Sequence, residues 1–235
     1  MHDLVIYGAG GLGREVAEIV RRINERHRFW NLLGFLDDGA EAGTFSGGLP
    51  ILGGRSFAEE FDGPLDVVLS IARPSDKRAI YEALKRCPHV RFPNVIDTDS
   101  KLSSRIAMEE GVVVSHFCSL SVDISLGRCV FINTGSHVGH DSVLGDFCSV
   151  MPNVNISGNV TIGTESTIGA GASILQGRSV GSGVMVLVYK RLFGVEGGGG
   201  PARFAVRRSE VRGPAVGVRG PAVGVRRSGF APTPG

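Results

Sequence analysis

The feature that most constrains this chain is a six-residue beat. From Leu102 onward an aliphatic or methionine residue returns at every sixth position: Leu102, Met108, Val114, Leu120, Leu126, Ile132, Val138, Leu144, Val150, Ile156, Ile162, Ile168, Ile174, Val180 and Val186. No insertion interrupts it. Two positions before these residues sits a small or β-branched one in nearly every case, as at Val112, Cys118, Val130, Ser142, Cys148, Val160 and Ser166. Glycine often follows, as at Gly127, Gly139, Gly145, Gly163, Gly169 and Gly181. A period of six fits neither a helix nor a hairpin array, whose strands drift in phase at their turns. It fits a three-sided coil in which every short flat side gives one aliphatic residue to the interior. One coil cannot bury that edge alone, so the run predicts a solenoid of about five turns.

Composition supports turns over bundles. Glycine supplies 35 of 235 residues, about twice the usual share, as tight turns repeated many times require. Apolar residues make up 42% and charged ones 20%, ordinary for a soluble globular chain. No stretch is long and apolar enough for a membrane span. Met1-His2-Asp3-Leu4 shows no basic-then-apolar secretory pattern. Cys87, Cys118, Cys129 and Cys148 lack CxxC spacing and are expected to be reduced packing residues of a cytoplasmic protein. The net charge of +2 hides an asymmetry: nine of the 25 basic residues and two of the 23 acidic ones lie in 190–235. The remainder is mildly acidic, which argues against nucleic acid as a partner.

The first third reads differently. Leu4–Tyr7 is a short apolar strand ending in Gly8-Ala9-Gly10-Gly11-Leu12-Gly13, and a helical pattern follows to about Glu25 with Val16, Ile19, Val20 and Ile23 on one face. Leu32–Leu36 predicts a second strand closing on Asp37-Asp38. A Gly/Ser-rich loop, a short helix near Phe57–Glu60, a strand at Asp66–Ile71, a helix over Ser75–Arg86 with Ile80 and Leu84 inward, and a strand near Val90–Val95 complete the reading. Alternating strand and helix imply a small parallel sheet. Gly8, Gly10 and Gly13 fit GxGxxG between strand and helix, a setting in which backbone amides and the helix N-terminus can meet phosphates. A tight ligand-free turn would leave the same trace. A full dinucleotide domain needs two βαβαβ halves, and only about half that length precedes residue 100, so a nucleotide fits here better than NAD.

The predicted organisation is therefore an N-terminal small α/β Rossmann-like domain (1–97) followed by a three-sided parallel β-helix (98–204), with a low-complexity basic tail (205–235). The tail duplicates VRGPAVG at Val211–Gly217 and Val218–Gly224 and has no apolar period, so it is expected to be disordered.

In this order, Ile6–Gly11, Gly34-Phe35-Leu36-Asp37-Asp38, Gly139-His140-Asp141, Gly145-Asp146-Phe147 and Asn155–Gly163 resemble the bacterial hexapeptide-repeat sugar acyltransferases. The likeness is to the group holding sialic acid O-acetyltransferases and UDP-amino-sugar N-acetyltransferases, and it covers roughly residues 3–186. It implies left-handedness, a homotrimer, acetyl-CoA as co-substrate, no metal, and a nucleotide-linked or free sugar acceptor for a bacterial surface glycan. It implies His140 as general base, Asp141 as the carboxylate orienting it, and Gly158, Ser149 and Ala170 on the acyl-donor side. Asn133, Gly8, Gly10, Gly11, Gly13, Asp37 and Asp38 fall on the acceptor side. Leu12 stands where many relatives carry histidine, and Ser149 where some place a second one. Gly199–Arg203 resembles the family's closing motif, but the coil before it looks short; a catalytically impaired trimeric nucleotide-sugar-binding or scaffold protein is the alternative.

Acyl transfer from a thioester needs a nucleophile relieved of its proton and a donor facing the oxyanion. Direct attack by an amine or hydroxyl needs no protein nucleophile, consistent with the lack of a GxSxG elbow. His116 and His137 compete with His140 on the repeat, and the adjacent Asp141 with the family match puts His140 first. Asp146 reads as a turn residue. Neither His137 nor His140 offers the HxxxxH pair of zinc-binding β-helices.

Overall fold

The computed structural model describes residues 1–187; the tail, Gly199–Arg203 and the Val188–Gly198 part of the shortened last coil lie outside the described residues. The α/β part runs β1 (His2–Tyr7), α1 (Gly11–Arg26), β2 (Trp30–Leu36), β3 (Phe45–Ser46), β4 (Leu49–Gly53), α2 (Arg55–Glu59), β5 (Leu65–Leu69), α3 (Pro74–Leu84) and β6 (Val90–Arg91). Its sheet order is β3-β4-β2-β1-β5-β6, parallel except for the β3–β4 hairpin. The strand order reverses between β1 and β5, the kind of position at whose carboxyl edge open α/β sheets bind ligands. The apolar runs of β1 and β5 are buried on both faces, as a sheet covered by helices requires.

From Val95–Ile96 to Met185–Val186 the chain winds as a left-handed β-helix with three parallel faces. The first face stacks Val95–Ile96, Val113–Val114, Phe131–Ile132, Ser149–Val150, Thr167–Ile168 and Met185–Val186; the other two hold five strands each. Registers advance by one coil, as in His137↔Asn155 and Ser149↔Thr167. Every beat residue is the inward member of its strand, and all except those at the two ends are buried in one core with Val112, Cys118, Cys148, Val154 and Val160. Each fully buried aliphatic side chain contributes about 1.5–3 kcal/mol.

The backbone adds a second beat. Every sixth residue from Gly111 to Gly183 takes positive φ, including Phe117 (58°), Asp141 (57°), Phe147 (61°) and Asn159 (55°). These are the corner residues, three after each inward aliphatic one. The glycine directly after the aliphatic residue serves another purpose: a Cβ at Gly139 would stand 2.5 Å from Gly158 N and 2.6 Å from Ser157 C on the next coil. Corners therefore stack in close backbone contact.

The α/β part covers the first face. Val95, Val113 and Phe131 join the core of β1 and α1, while Cys129 and Phe147 join that of β5 and α3. Arg22 of α1 pairs with the buried carboxylate of Asp97, Tyr81 of α3 donates to Glu110, and Arg78 pairs with Glu165 at 3.0 Å.

Several expectations need correction. Val90–Val95 is not one strand: Val90–Arg91 edges the α/β sheet, whereas Val95 begins the coil. The Gly/Ser-rich loop contains the β3–β4 hairpin. Inward on α3 are Pro74, Lys77, Tyr81 and Leu84, with Ile80 only half-buried; the coil beneath offers Phe147 to Tyr81 and backbone and hydroxyl oxygens to Lys77. The four cysteines are free thiols.

Candidate functional site

His140 and Asp141 occupy the corner between the second and third faces, opposite the face that the α/β part covers. The corner's shape produces the pair. Positive φ at Asp141, a backbone region aspartate tolerates better than most residues, folds its carboxylate back onto the preceding ring. Asp141 Oδ2 lies 2.7 Å from His140 Nδ1. With Nδ1–H donating to the carboxylate, the lone pair sits on Nε2. Both side chains stay open to solvent, at 51% and 60% exposure.

Gly158 lies beneath this ring on the next coil. A Cβ added there would stand 2.5 Å from His140 Nε2 and 2.6 Å from Cε1, so only glycine lets the imidazole lie across the neighbouring rung. Among the described residues the Gly158 N–H has no hydrogen-bond acceptor, while its carbonyl takes the Gly177 N–H at 3.1 Å. An imidazole and an amide without an acceptor thus sit side by side, an arrangement able to move a proton and to face a developing oxyanion. His137 is exposed on the second face, and His116 contacts Phe117 edge-on at 5.1 Å. Neither forms an ion pair with a carboxylate among the described residues, whereas His140 does.

Other residues marked by the sequence lie elsewhere. Asn133 and Ala170 occupy the corner between the first and second faces, one flat side away from His140. The Asn133 side-chain oxygen accepts from Thr134 N at 2.7 Å, and Ala170 is exposed. Ser149 is a correction: it is 0% exposed, its hydroxyl accepting from Lys77 Nζ at 3.1 Å. It points under α3 and has no surface to offer an acyl donor.

The glycine loop ends β1 at the sheet's carboxyl edge. Gly8 (φ 109°) is required because a Cβ would stand 2.9 Å from Ser70 O, and Gly13 because one would run into Gly8 O and Phe35. Gly10 and Gly11 differ. A Cβ on Gly10 would meet nothing within 4 Å, and one on Gly11 only Arg14 Nη2 at 3.9 Å. No side chain caps α1 at Gly10, and Gly10 and Gly11 are exposed. Asp37 takes the Ala9 N–H and the Gly39 N–H, both at 2.9 Å. Asp38 takes Tyr7 OH and, at 2.8 Å, the Arg55 N–H. The Tyr7 hydroxyl is pushed well above its ordinary range by burial and then by Asp38. Both carboxylates brace the loop from within.

The sequence reading missed Arg14. Its guanidinium is exposed, lies 3.4 Å from Ser46 Oγ, and makes no ion pair among the described residues. A cation in the first turn opposes the helix dipole; that mismatch was the signal available in the sequence. It also missed the link between Arg128 and Asp146, which form two side-chain hydrogen bonds, with Arg128 N donating to Asp146 Oδ1 at 2.8 Å. No group of three or more His, Cys, Asp or Glu suited to a metal ion occurs, and no helix is long and apolar enough to cross a membrane, among the described residues.

Comparison with known proteins bears on both halves. A model of the PglD N-terminal domain matches residues 3–84, and one of bacterial transferase hexapeptide (six repeats) matches 141–176. GDP-perosamine N-acetyltransferase of Escherichia coli is 27% identical over 177 residues, 73% of this chain and 77% of that protein. The acetyltransferase domain of PglB from Neisseria gonorrhoeae is 30% identical with a TM-score of 0.73, over 80% of this chain and 89% of that one. Its complex with acetyl coenzyme A superposes with a TM-score of 0.71 at 28% identity, over 79% and 88% of the two chains.

Proposed function

This chain belongs to the hexapeptide-repeat sugar acyltransferases, and from that membership we propose that it transfers an acetyl group from acetyl-CoA to an amino or hydroxyl group of a nucleotide-linked sugar. The observation that carries the reading is the exposed His140–Asp141 pair lying across Gly158. The acceptor nitrogen or oxygen attacks the thioester carbonyl while His140 Nε2 takes its proton. Asp141 stabilises the imidazolium, and the Gly158 amide faces the oxyanion. Collapse expels the CoA thiolate, which regains a proton from His140. An amino sugar is the preferred acceptor, because the relatives above acetylate perosamine or carry the same domain.

The acceptor's nucleotide lies over Gly10 and Gly11. Its diphosphate is met by the open amides of α1 and by Arg14, while Asp37 and Asp38 shape the loop. Asn133 and the glycine loop sit on one side of the coil and His140 on another, so the complete site joins one copy's His140 corner to the Asn133 and Ala170 corner of a neighbour. A homotrimer closes this arrangement by symmetry. Acetylation of nucleotide amino-sugars serves surface-glycan assembly in the cytoplasm.

The test offers acetyl-CoA with UDP- and GDP-linked 4-amino-sugars and with free sialic acids, following CoA release for wild type and His140→Ala. Release with at least one nucleotide-linked acceptor, lost in the variant, is expected. No release with any acceptor defeats the reading.

A further inference from the structure

Lys77 is the one lysine that α3 buries, 1% exposed at the junction between α/β part and coil. Its ammonium donates to Cys148 O at 3.2 Å and Ser149 Oγ at 3.1 Å. It forms no ion pair among the described residues. The titratable groups facing it are the thiols of Cys129 and Cys148, with Glu110, Arg128 and Asp146 beyond them. A buried cation held only by neutral oxygens costs stability, and an apolar replacement of similar length relieves that cost. Its place points to what it does. Lys77 stands in the first turn of α3, directly after the 70–73 loop; Ser70, at the head of that loop, packs against Gly8 and donates to Tyr7 O at 2.8 Å.

We propose that Lys77 is a positioning residue for the acceptor: by tying the first turn of α3 to the Ser149–Val150 strand, it sets the 70–73 loop, and with it the glycine loop, at a fixed height on the coil. The inference rests on the functional reading above. Stability is spent here on alignment between the nucleotide-binding edge and the coil.

Lys77→Met separates this role from simple structural support. A structural tie would lower the melting temperature when removed; a costly positioning group leaves it unchanged or raises it. The expected result is a melting temperature at or above wild type, a Kd for GDP or UDP by calorimetry weakened about tenfold as the glycine loop loses its alignment, and an unchanged KM for acetyl-CoA. Burial pulls the Lys77 amine down to about 8 from its ordinary 10.5. The folded state therefore binds its proton more weakly than the unfolded chain, and wild type gains stability relative to Lys77→Met as pH rises from about 8 through 10.5. The Cys129 thiol, pushed up to about 12 by burial, stays neutral across this window. A lowered melting temperature, or nucleotide affinity equal to wild type, overturns the proposal. Nucleotide binding by wild type without acetylation of any acceptor defeats the functional reading alone, and no nucleotide binding by wild type defeats both.

Discussion

Gly139-His140-Asp141 and Gly145-Asp146-Phe147 are successive corners of one coil, with the same glycine and the same left-handed third residue. One is open and holds an imidazole with its carboxylate. The other lies beneath α3: Phe147 is 3% exposed and meets Tyr81 edge-on at 5.3 Å, while Asp146 grips Arg128 from the previous coil. Backbone shape alone therefore does not decide what a corner does. The neighbour that covers it decides whether an acidic residue pairs with an exposed imidazole or fastens two layers together.

Changes to these two corners should separate along that line. The largest effect is expected from His140→Ala, with kcat falling about a thousandfold, within the range for loss of a general base, and the melting temperature unmoved. Gly158→Ala should follow, because its methyl would occupy the place of the imidazole; displacing the base by about an ångström costs roughly a hundredfold in kcat, and the wild-type acceptor panel measures it. At the covered corner Asp146→Ala should cost about 2 kcal/mol in urea unfolding by leaving Arg128 without its partner, with kcat per folded molecule unchanged. Burial tends to raise the Asp146 carboxyl, but hydrogen bonds from Arg128 outweigh it and hold it below the ordinary carboxylate range. Its contribution is thus present above the unfolded value and fades as pH falls through the folded one. The smallest effect belongs to Asp141→Asn, about a tenfold loss of kcat at this exposed position. If Asp141→Asn destabilises the fold or Asp146→Ala abolishes turnover, the contrast between the corners fails.

The same contrast marks what the amino acids disclose. Inward aliphatic positions were legible because each coil repeats one demand, a branched side chain facing an axis. The adjacency of His140 and Asp141 was legible as a short motif, and the structure adds their hydrogen bond. Asp146 looked like a turn residue because its partner lies one coil back; adding the coil's length to Arg128 lands on it, so the information was present once that length was known. Lys77 and Tyr81 were hidden for a different reason: α3 docks on a mixed surface, with Phe147 under Tyr81 and the oxygens of Cys148 and Ser149 at Lys77, and apolar periodicity prefers Ile80 to a lysine. The β3–β4 hairpin was masked by glycine and serine, which serve loops and tight hairpins equally. Arg14 was visible only as a charge of the wrong sign for its place on α1.

A corner that recurs with one backbone shape turns the solenoid into a ruler. Neighbouring rungs stand about 4.8 Å apart, the spacing of paired strands, so a reactive group can move along the axis only in steps of that size. Asp123 already holds the left-handed position one rung below Asp141, with Val122 before it. The distance from the His140 imidazole to the glycine loop is in this sense counted in whole rungs, and under the proposed function the acceptors expected to fit are those whose length matches the count.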